Sequence, residues 1–160
     1  MKKLEKLKSI KILLTDVDGV LTDGGMYYSP TGDVMKKFHA RDGMGVSLLK
    51  KHGIPTVIVT KEKTKMVRNW AKNMNVDYLY DGIIDKEKIF EKICKKYKLT
   101  SSQIAYIGDD VNDLGLLKKV GFSATPNNGI LQIQKIVDYK CKKNGGDGVL
   151  REVADLIINA

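Results

Sequence analysis

Apolar residues follow two alternating patterns along the chain. Short apolar runs fall at residues 10–15, 56–60, 78–80, 104–107, 122–124 and 136–139, and each reads as a strand. Between them lie amphipathic stretches at 43–51, 63–74, 86–97, 112–119 and 129–134, and residues 149–158 close the chain as a helix. The clearest period is in EKIFEKICKKY, where Ile89, Phe90, Ile93 and Tyr97 fall near one helical face. Strands alternating with helices predict an α/β fold, a Rossmann-like doubly wound parallel sheet covered on both faces. There is no repeat, linker or low-complexity tract, so residues 1–160 read as one domain.

One segment breaks the alternation. GGMYYSPTGDVMKKF, residues 24–38, places two β-prone flanks around Ser29-Pro30-Thr31-Gly32, which is turn chemistry and predicts a projecting β-hairpin. It follows the first strand directly, so it projects from the carboxyl end of the sheet, where open α/β folds bind ligands.

Composition narrows the function classes. Hydrophobic residues make up 42% of the 160, which suits one sizeable core. No apolar stretch approaches the roughly 20 residues of a membrane helix. The amino terminus is basic and then apolar, but Asp16 and Asp18 interrupt the run and no small-residue cleavage site follows, so we expect a cytoplasmic protein with no membrane partner. Cys94 and Cys141 are isolated and read as reduced thiols; His39 and His52 are single and suggest no metal site. The net charge of +9 permits anionic partners, either nucleic acid or a small phosphorylated acid. The lysines are spread out and are not interleaved with aromatics as base stacking requires, so no nucleic acid partner is expected.

The chemistry gathers at predicted strand ends. LLTDVDGVLTDGG sets Asp16 and Asp18 after the first strand, Thr60 ends PTVIVT, Lys86 opens a helix, and AYIGDDVNDLGLL presents Asp109, Asp110 and Asp113. Aligned carboxyl ends bring these groups into one crevice. So many carboxylates repel one another, and a lysine with a hard divalent cation such as Mg²⁺ relieves that. An ionised carboxylate attacks phosphorus without a base to activate it, a cation and a lysine neutralise the phosphoryl oxygens, and a second carboxyl two residues on protonates the leaving alkoxide. Each motif has a plainer meaning alone. Asp18-Gly19 is a common turn, Asp109-Asp110 suits a helix cap, and Lys86 suits a surface. DVDG begins like a calcium loop, but Val20 and Tyr27 stand where ligands belong.

DVDGVLT, the VT at 59–60, Lys86 and GDDVND resemble the four motifs of the haloacid dehalogenase superfamily of phosphatases. DGGMYYSPTGDVMKKFHARDGMGVSLLKKHGI and the terminal KNGGDGVLREVADLI are similar to its small group without a cap domain, which contains 3-deoxy-D-manno-octulosonate 8-phosphate phosphatase and phosphatases of nine-carbon keto-deoxy sugar acids. The resemblance implies that Asp16 is the nucleophile and that Asp18 is the general acid and base. Thr60 and Lys86 hold the phosphoryl group. Mg²⁺ is bound by Asp16, Asp109 and the backbone carbonyl of Asp18, while Asp110 and Asp113 orient the metal waters or Lys86. It further implies a homotetramer in which a neighbour's hairpin and the segment Gly145-Gly146-Asp147-Gly148 help to close each site, and a product destined for surface glycans such as lipopolysaccharide.

The chain departs from the common Gly-Arg after motif two, carrying Lys61-Glu62. Glu62 resembles the branch acting on nine-carbon 9-phosphates, where a glutamate contacts substrate. Trp70 and Asn73 stand where that branch carries basic residues, and Arg68 is the candidate replacement. Arg41, Arg68 and Arg151 are candidate clamps for the sugar acid's carboxylate. Two other classes stay open: a phospho-accepting receiver-like signalling domain, whose paired acids precede its acceptor in the chain, and a non-enzymatic basic binding module.

Overall fold

The computed structural model describes residues 3–160. Six parallel strands form one sheet in the order β5-β4-β1-β6-β7-β8: β1 (Ile12–Thr15), β4 (Thr56–Val59), β5 (Tyr78–Tyr80), β6 (Ile104–Ile107), β7 (Phe122–Thr125) and β8 (Tyr139–Lys140). Residues of β1, β4 and β6 are buried throughout, because both faces are covered. Alternation still sorts them. Leu13, Ile58, Ala105 and Ile107 enter one core, and Ile12, Leu14, Val57, Val59 and Tyr106 enter the other. The first core lies against α1 (Lys3–Ser9), α2 (Ala40–Lys51), α3 (Lys65–Asn73) and α7 (Val149–Ile158). The second lies chiefly against α4 (Lys86–Tyr97) and α5 (Leu114–Lys119), with Ile133 of α6 (Leu131–Gln134).

The doubly wound α/β expectation therefore holds, and most boundaries agree within a few residues. Helix α1 has no counterpart in the hydrophobic pattern, because it is seven residues long and buries only Leu7, too little to show a period. The last strand is shorter and later than the apolar run at 136–139. Asp138 takes the place of ladder bonds there, its Oδ2 accepting from the Ser123 amide at 3.0 Å, and Ile136 is left exposed. The stretch at 112–119 begins as a 3-10 turn over Val111–Asp113 before α5.

The hairpin is β2 (Tyr27–Ser29) paired antiparallel with β3 (Gly32–Met35), closed at its base by a Thr22–Phe38 bridge. Phe38 stacks on Trp70 of α3 with ring centroids 4.9 Å apart, which fixes the angle at which the hairpin leaves the body. Trp70 is thus committed to packing. Met26, Tyr28, Val34 and Met35 stay exposed on the hairpin. No described helix is long and apolar enough to cross a membrane.

Helices α2 and α7 cross closely, since a Cβ at Gly45 would lie 3.0 Å from the Arg151 backbone. Their join supplies a cap that the local sequence lacks. Gly148 precedes α7 without a side chain, and Asp42 of α2 reaches across so that its Oδ1 accepts from the Arg151 amide at 2.9 Å. Burial pushes the Asp42 carboxyl up to about 7, against the helix amides that favour its charge. Between about pH 4 and pH 7 the folded state therefore retains a proton that the unfolded chain has already released, and stability falls as pH rises through that window. Asp42→Asn keeps an acceptor and removes the titration. We expect urea midpoints of parent and variant to diverge between about pH 4 and pH 7, the parent losing ground as pH rises; parallel curves across that range would refute the assignment.

Candidate active site

The sheet itself selects the place. From β1 the chain winds outward through β4 to β5, then crosses back to β6 on the other side of β1, so the carboxyl ends of β1 and β6 flank the switch in strand order. The Asp16 amide donates to the Ile107 carbonyl at 3.0 Å and carries the ladder one residue beyond β1. The chain then curls tightly, because the Val17 carbonyl accepts from the amides of Val20, Leu21 and Thr22 at 3.1, 2.8 and 3.0 Å. This curl places a left-handed residue at Gly19, φ +80°, where a Cβ would sit 2.0 Å from Asp109 Oδ2. A second glycine pair braces it from outside. The Gly146 amide donates to the Val20 carbonyl at 3.0 Å, and a Cβ at Gly145 would sit 2.0 Å from the Gly19 carbonyl oxygen.

Beneath the curl lies a buried ionic cluster. Asp16 Oδ1 accepts from the Val17 amide at 2.7 Å, and Oδ2 lies 2.7 Å from Lys86 Nζ. Lys86 is carried by the first turn of α4, whose N-cap is Asp85, and its side chain is 1% exposed. The same ammonium donates to Asp113 Oδ1 at 2.6 Å and to the Tyr106 hydroxyl at 3.1 Å. Tyr106 in turn donates to Asp113 Oδ1. Asp113 Oδ2 accepts from the amides of Asp109 and Asp110 at 2.9 and 3.4 Å. Both Asp113 oxygens are thus spent on holding Lys86 and the turn after β6.

One ammonium faces several carboxylates, and the electrostatics record the imbalance. Burial, then the neighbouring charge of Asp113, holds the Asp16 carboxyl at about 7 despite Lys86. Burial and the charges of Asp16 and Asp113 push Asp109 up to about 8. Burial disfavours the charged form of Lys86, but Asp16 and Asp113 more than offset it and raise its pKa. Oxygens of Asp16, Asp109 and Asp113 lie within 4.8 Å of one another. An all-oxygen, net-negative group of this size suits a hard divalent cation. With Asp113 saturated, Asp16 and Asp109 are the carboxylates able to bind it.

A crevice of about 280 Å³ opens above the cluster, and Asp16, Asp18, Thr60, Glu62, Asp109 and Asp110 line it. Thr60 prolongs β4, its amide donating to the Tyr80 carbonyl at 2.9 Å. Asp110 also accepts from the Val111 amide at 2.6 Å, so the cap reading holds for this residue alongside its place in the lining. Asp18 turns away from the carboxylate cluster: its Oδ1 lies 2.8 Å from Lys36 Nζ and accepts from Thr22 Oγ1 at 3.4 Å. Arg68 lies outside this lining and pairs with Asp81 at 2.6 Å. Arg41 and Arg151 line a separate cavity of about 680 Å³ beside α7, with Arg151 paired to Asp155 at 2.8 Å. Two participants had no signal in the linear order. Tyr106 is an interior strand residue whose hydroxyl is legible only through its burial, and Lys36 lies beyond the hairpin turn from Asp18.

The chain matches the haloacid dehalogenase-like hydrolase family over residues 60–153. It is 33% identical to the 3-deoxy-D-manno-octulosonate 8-phosphate phosphatase of Haemophilus influenzae, over 98% of this chain and 87% of that protein. The crystal structure of the phosphatase of that name from Moraxella catarrhalis, in complex with magnesium ion, phosphate ion and KDO, superposes with a TM-score of 0.93 at 37% identity, covering 98% of this chain and 90% of that one. The cobalt-bound Haemophilus influenzae phosphatase superposes equally well, with a TM-score of 0.93 at 33% identity over 96% and 90% of the two chains. With acidic groups at the ends of β1 and β6, and a hairpin in place of any inserted domain, the chain belongs to the haloacid dehalogenase-like hydrolases, in their cap-less group of 3-deoxy-D-manno-octulosonate 8-phosphate phosphatase-like enzymes.

Proposed function

We propose that this chain is a magnesium-dependent phosphatase that removes the terminal phosphate of a 3-deoxy-2-keto sugar acid, either 3-deoxy-D-manno-octulosonate 8-phosphate or a nine-carbon 9-phosphate. The observation that carries the proposal is Asp16: a carboxylate at a strand end, gripped by Lys86 at 2.7 Å, at the floor of a crevice that also holds Asp18, Thr60 and Asp109. Names of relatives support the eight-carbon acid, and Glu62 supports the nine-carbon branch.

In this reading an Asp16 oxygen forms a bond to phosphorus while the bond from phosphorus to the sugar oxygen breaks, giving an aspartyl-phosphate. Asp18 hands its proton to the departing sugar oxygen, then takes one from the water that hydrolyses the aspartyl-phosphate. Lys86 and Thr60 hold the non-bridging oxygens, and Asp113 with Tyr106 keeps Lys86 aimed. Magnesium, when held by Asp16, Asp109 and the Asp18 carbonyl with Asp110 in support, supplies further positive charge to the phosphoryl oxygens. Glu62 is the proposed contact to the sugar, and Arg68 is proposed to join it by exchanging its partner Asp81 for the substrate. The exposed apolar side chains of the hairpin support a homotetramer in which hairpins meet, and the cytoplasm is the proposed compartment.

Pure protein with Mg²⁺ and each of the two sugar-acid phosphates is expected to release inorganic phosphate from at least one. Chelation should reduce release to background and added Mg²⁺ should restore it. Because the cation neutralises buried charge, Mg²⁺ should also raise the melting temperature of the parent protein. No release from either substrate would remove the proposal.

A further inference from the structure

Lys36 stands just beyond β3, on the return limb of the hairpin, yet its ammonium is spent inside the crevice wall. The side chain is 2% exposed, and Nζ lies 2.8 Å from Asp18 Oδ1, 2.9 Å from Glu62 Oε2 and 3.4 Å from Asp33 Oδ2. An ion pair between two open-surface groups contributes little, but here the ammonium is withdrawn from solvent while Asp18 and Glu62 stay partly exposed, and one donor shared by three acceptors fixes their geometry. The three acids come from separate places: the curl after β1, the loop after β4, and the hairpin itself. Without Lys36, Asp18 and Glu62 would face each other as like charges.

We propose that Lys36 is a positioning residue for the phosphatase reaction: it clamps Asp18 and Glu62 together, so that docking of the hairpin sets the direction of the acid-base carboxyl. The proposal rests on the reading of Asp18 given above. Lys36 acts through Asp18, so its loss should matter most where the departing oxygen needs a proton. Its loss should matter least where the leaving group departs as a stable anion.

The test compares single-turnover phosphoryl transfer to Asp16 from a sugar-acid phosphate and from p-nitrophenyl phosphate, by rapid quench. Lys36→Met is expected to slow transfer from the sugar phosphate ~10²-fold and transfer from the aryl phosphate only ~3-fold. Equal slowing of both, or slowing of neither, overturns the assignment; a purely structural role predicts equal slowing. Should Lys36→Met melt below the assay temperature, Lys36→Gln keeps a donor in place without the charge, and the same discrimination is expected of it. Asp18→Asn separates the two layers. If it transfers from the sugar phosphate at the parent rate, the acid role of Asp18 is wrong; if it is slow while Lys36→Met is not, Lys36 alone is misassigned.

Discussion

Asp16→Asn is expected to lower turnover of the sugar-acid phosphate by ~10⁴-fold or more, with no loss of thermal stability. The first half follows from chemistry. An amide oxygen is a poor nucleophile toward phosphorus, and the neighbouring carboxylates are engaged: each Asp113 oxygen accepts two hydrogen bonds, Asp18 and Glu62 face Lys36, Asp110 accepts from the Val111 amide, and burial pushes Asp109 up to about 8. The second half follows from the cluster. Asp16 is 5% exposed, and its charge is opposed by burial and by Asp113. Asparagine retains an oxygen for the Val17 amide and leaves Lys86 with its Asp113 and Tyr106 partners. Loss of function with an unchanged or raised melting temperature is therefore the expected pair of results. Substantial residual turnover, with labelled phosphate still trapped on the acid-quenched variant, would move the nucleophile elsewhere.

Lys86→Met is expected to act in the opposite sense on stability. It removes the ammonium that Asp16 and Asp113 share and leaves both carboxylates buried without a counter-charge. Breaking a buried pair from one side costs about 3–5 kcal/mol, far more than deleting a surface lysine. Turnover should fall ~10³-fold as well, because the phosphoryl oxygens lose a fixed positive charge. Chemical denaturation of the metal-free proteins at pH 8 reads the first effect without interference from the second. Near-equal midpoints for Lys86→Met and the parent would mean that the cluster is solvated enough to tolerate the loss, and that Lys86 is not the support argued here. Tyr106, which touches both Lys86 and Asp113, would then have no positioning role either.

Much of this site was legible before folding because an α/β sheet delivers its strand ends to one edge. Asp16 and Thr60 each follow a short apolar run directly and Asp109 follows one after a single glycine, so finding the runs finds the residues. Lys86 was legible as a helix start, and Asp113 as part of the GDDVND run that follows the strand. What escaped was contact between segments that have no common period. Lys36 meets Asp18 only after the hairpin folds back; Asp42 caps a helix that begins more than a hundred residues later. Trp70 showed the reverse. Its place suggested a missing basic contact, whereas the fold uses its ring against Phe38. The three arginines considered as clamps also show that net charge locates nothing: each lies outside the crevice lining, and Arg68 and Arg151 are paired elsewhere.

The bracing of the Gly19 curl by Gly145 and Gly146 has a temporal consequence. Asp16 is synthesised well before the peptide at residues 145–146 that props its loop. A nascent chain that carries Asp16, Asp18, Asp109, Asp110 and Asp113 but not yet Gly145 would still hold Asp16 on an unsupported bend. Maturation of the centre is therefore timed by the arrival of Gly145 and Gly146. A partner that peels these two residues away would disarm the enzyme without touching its acidic groups.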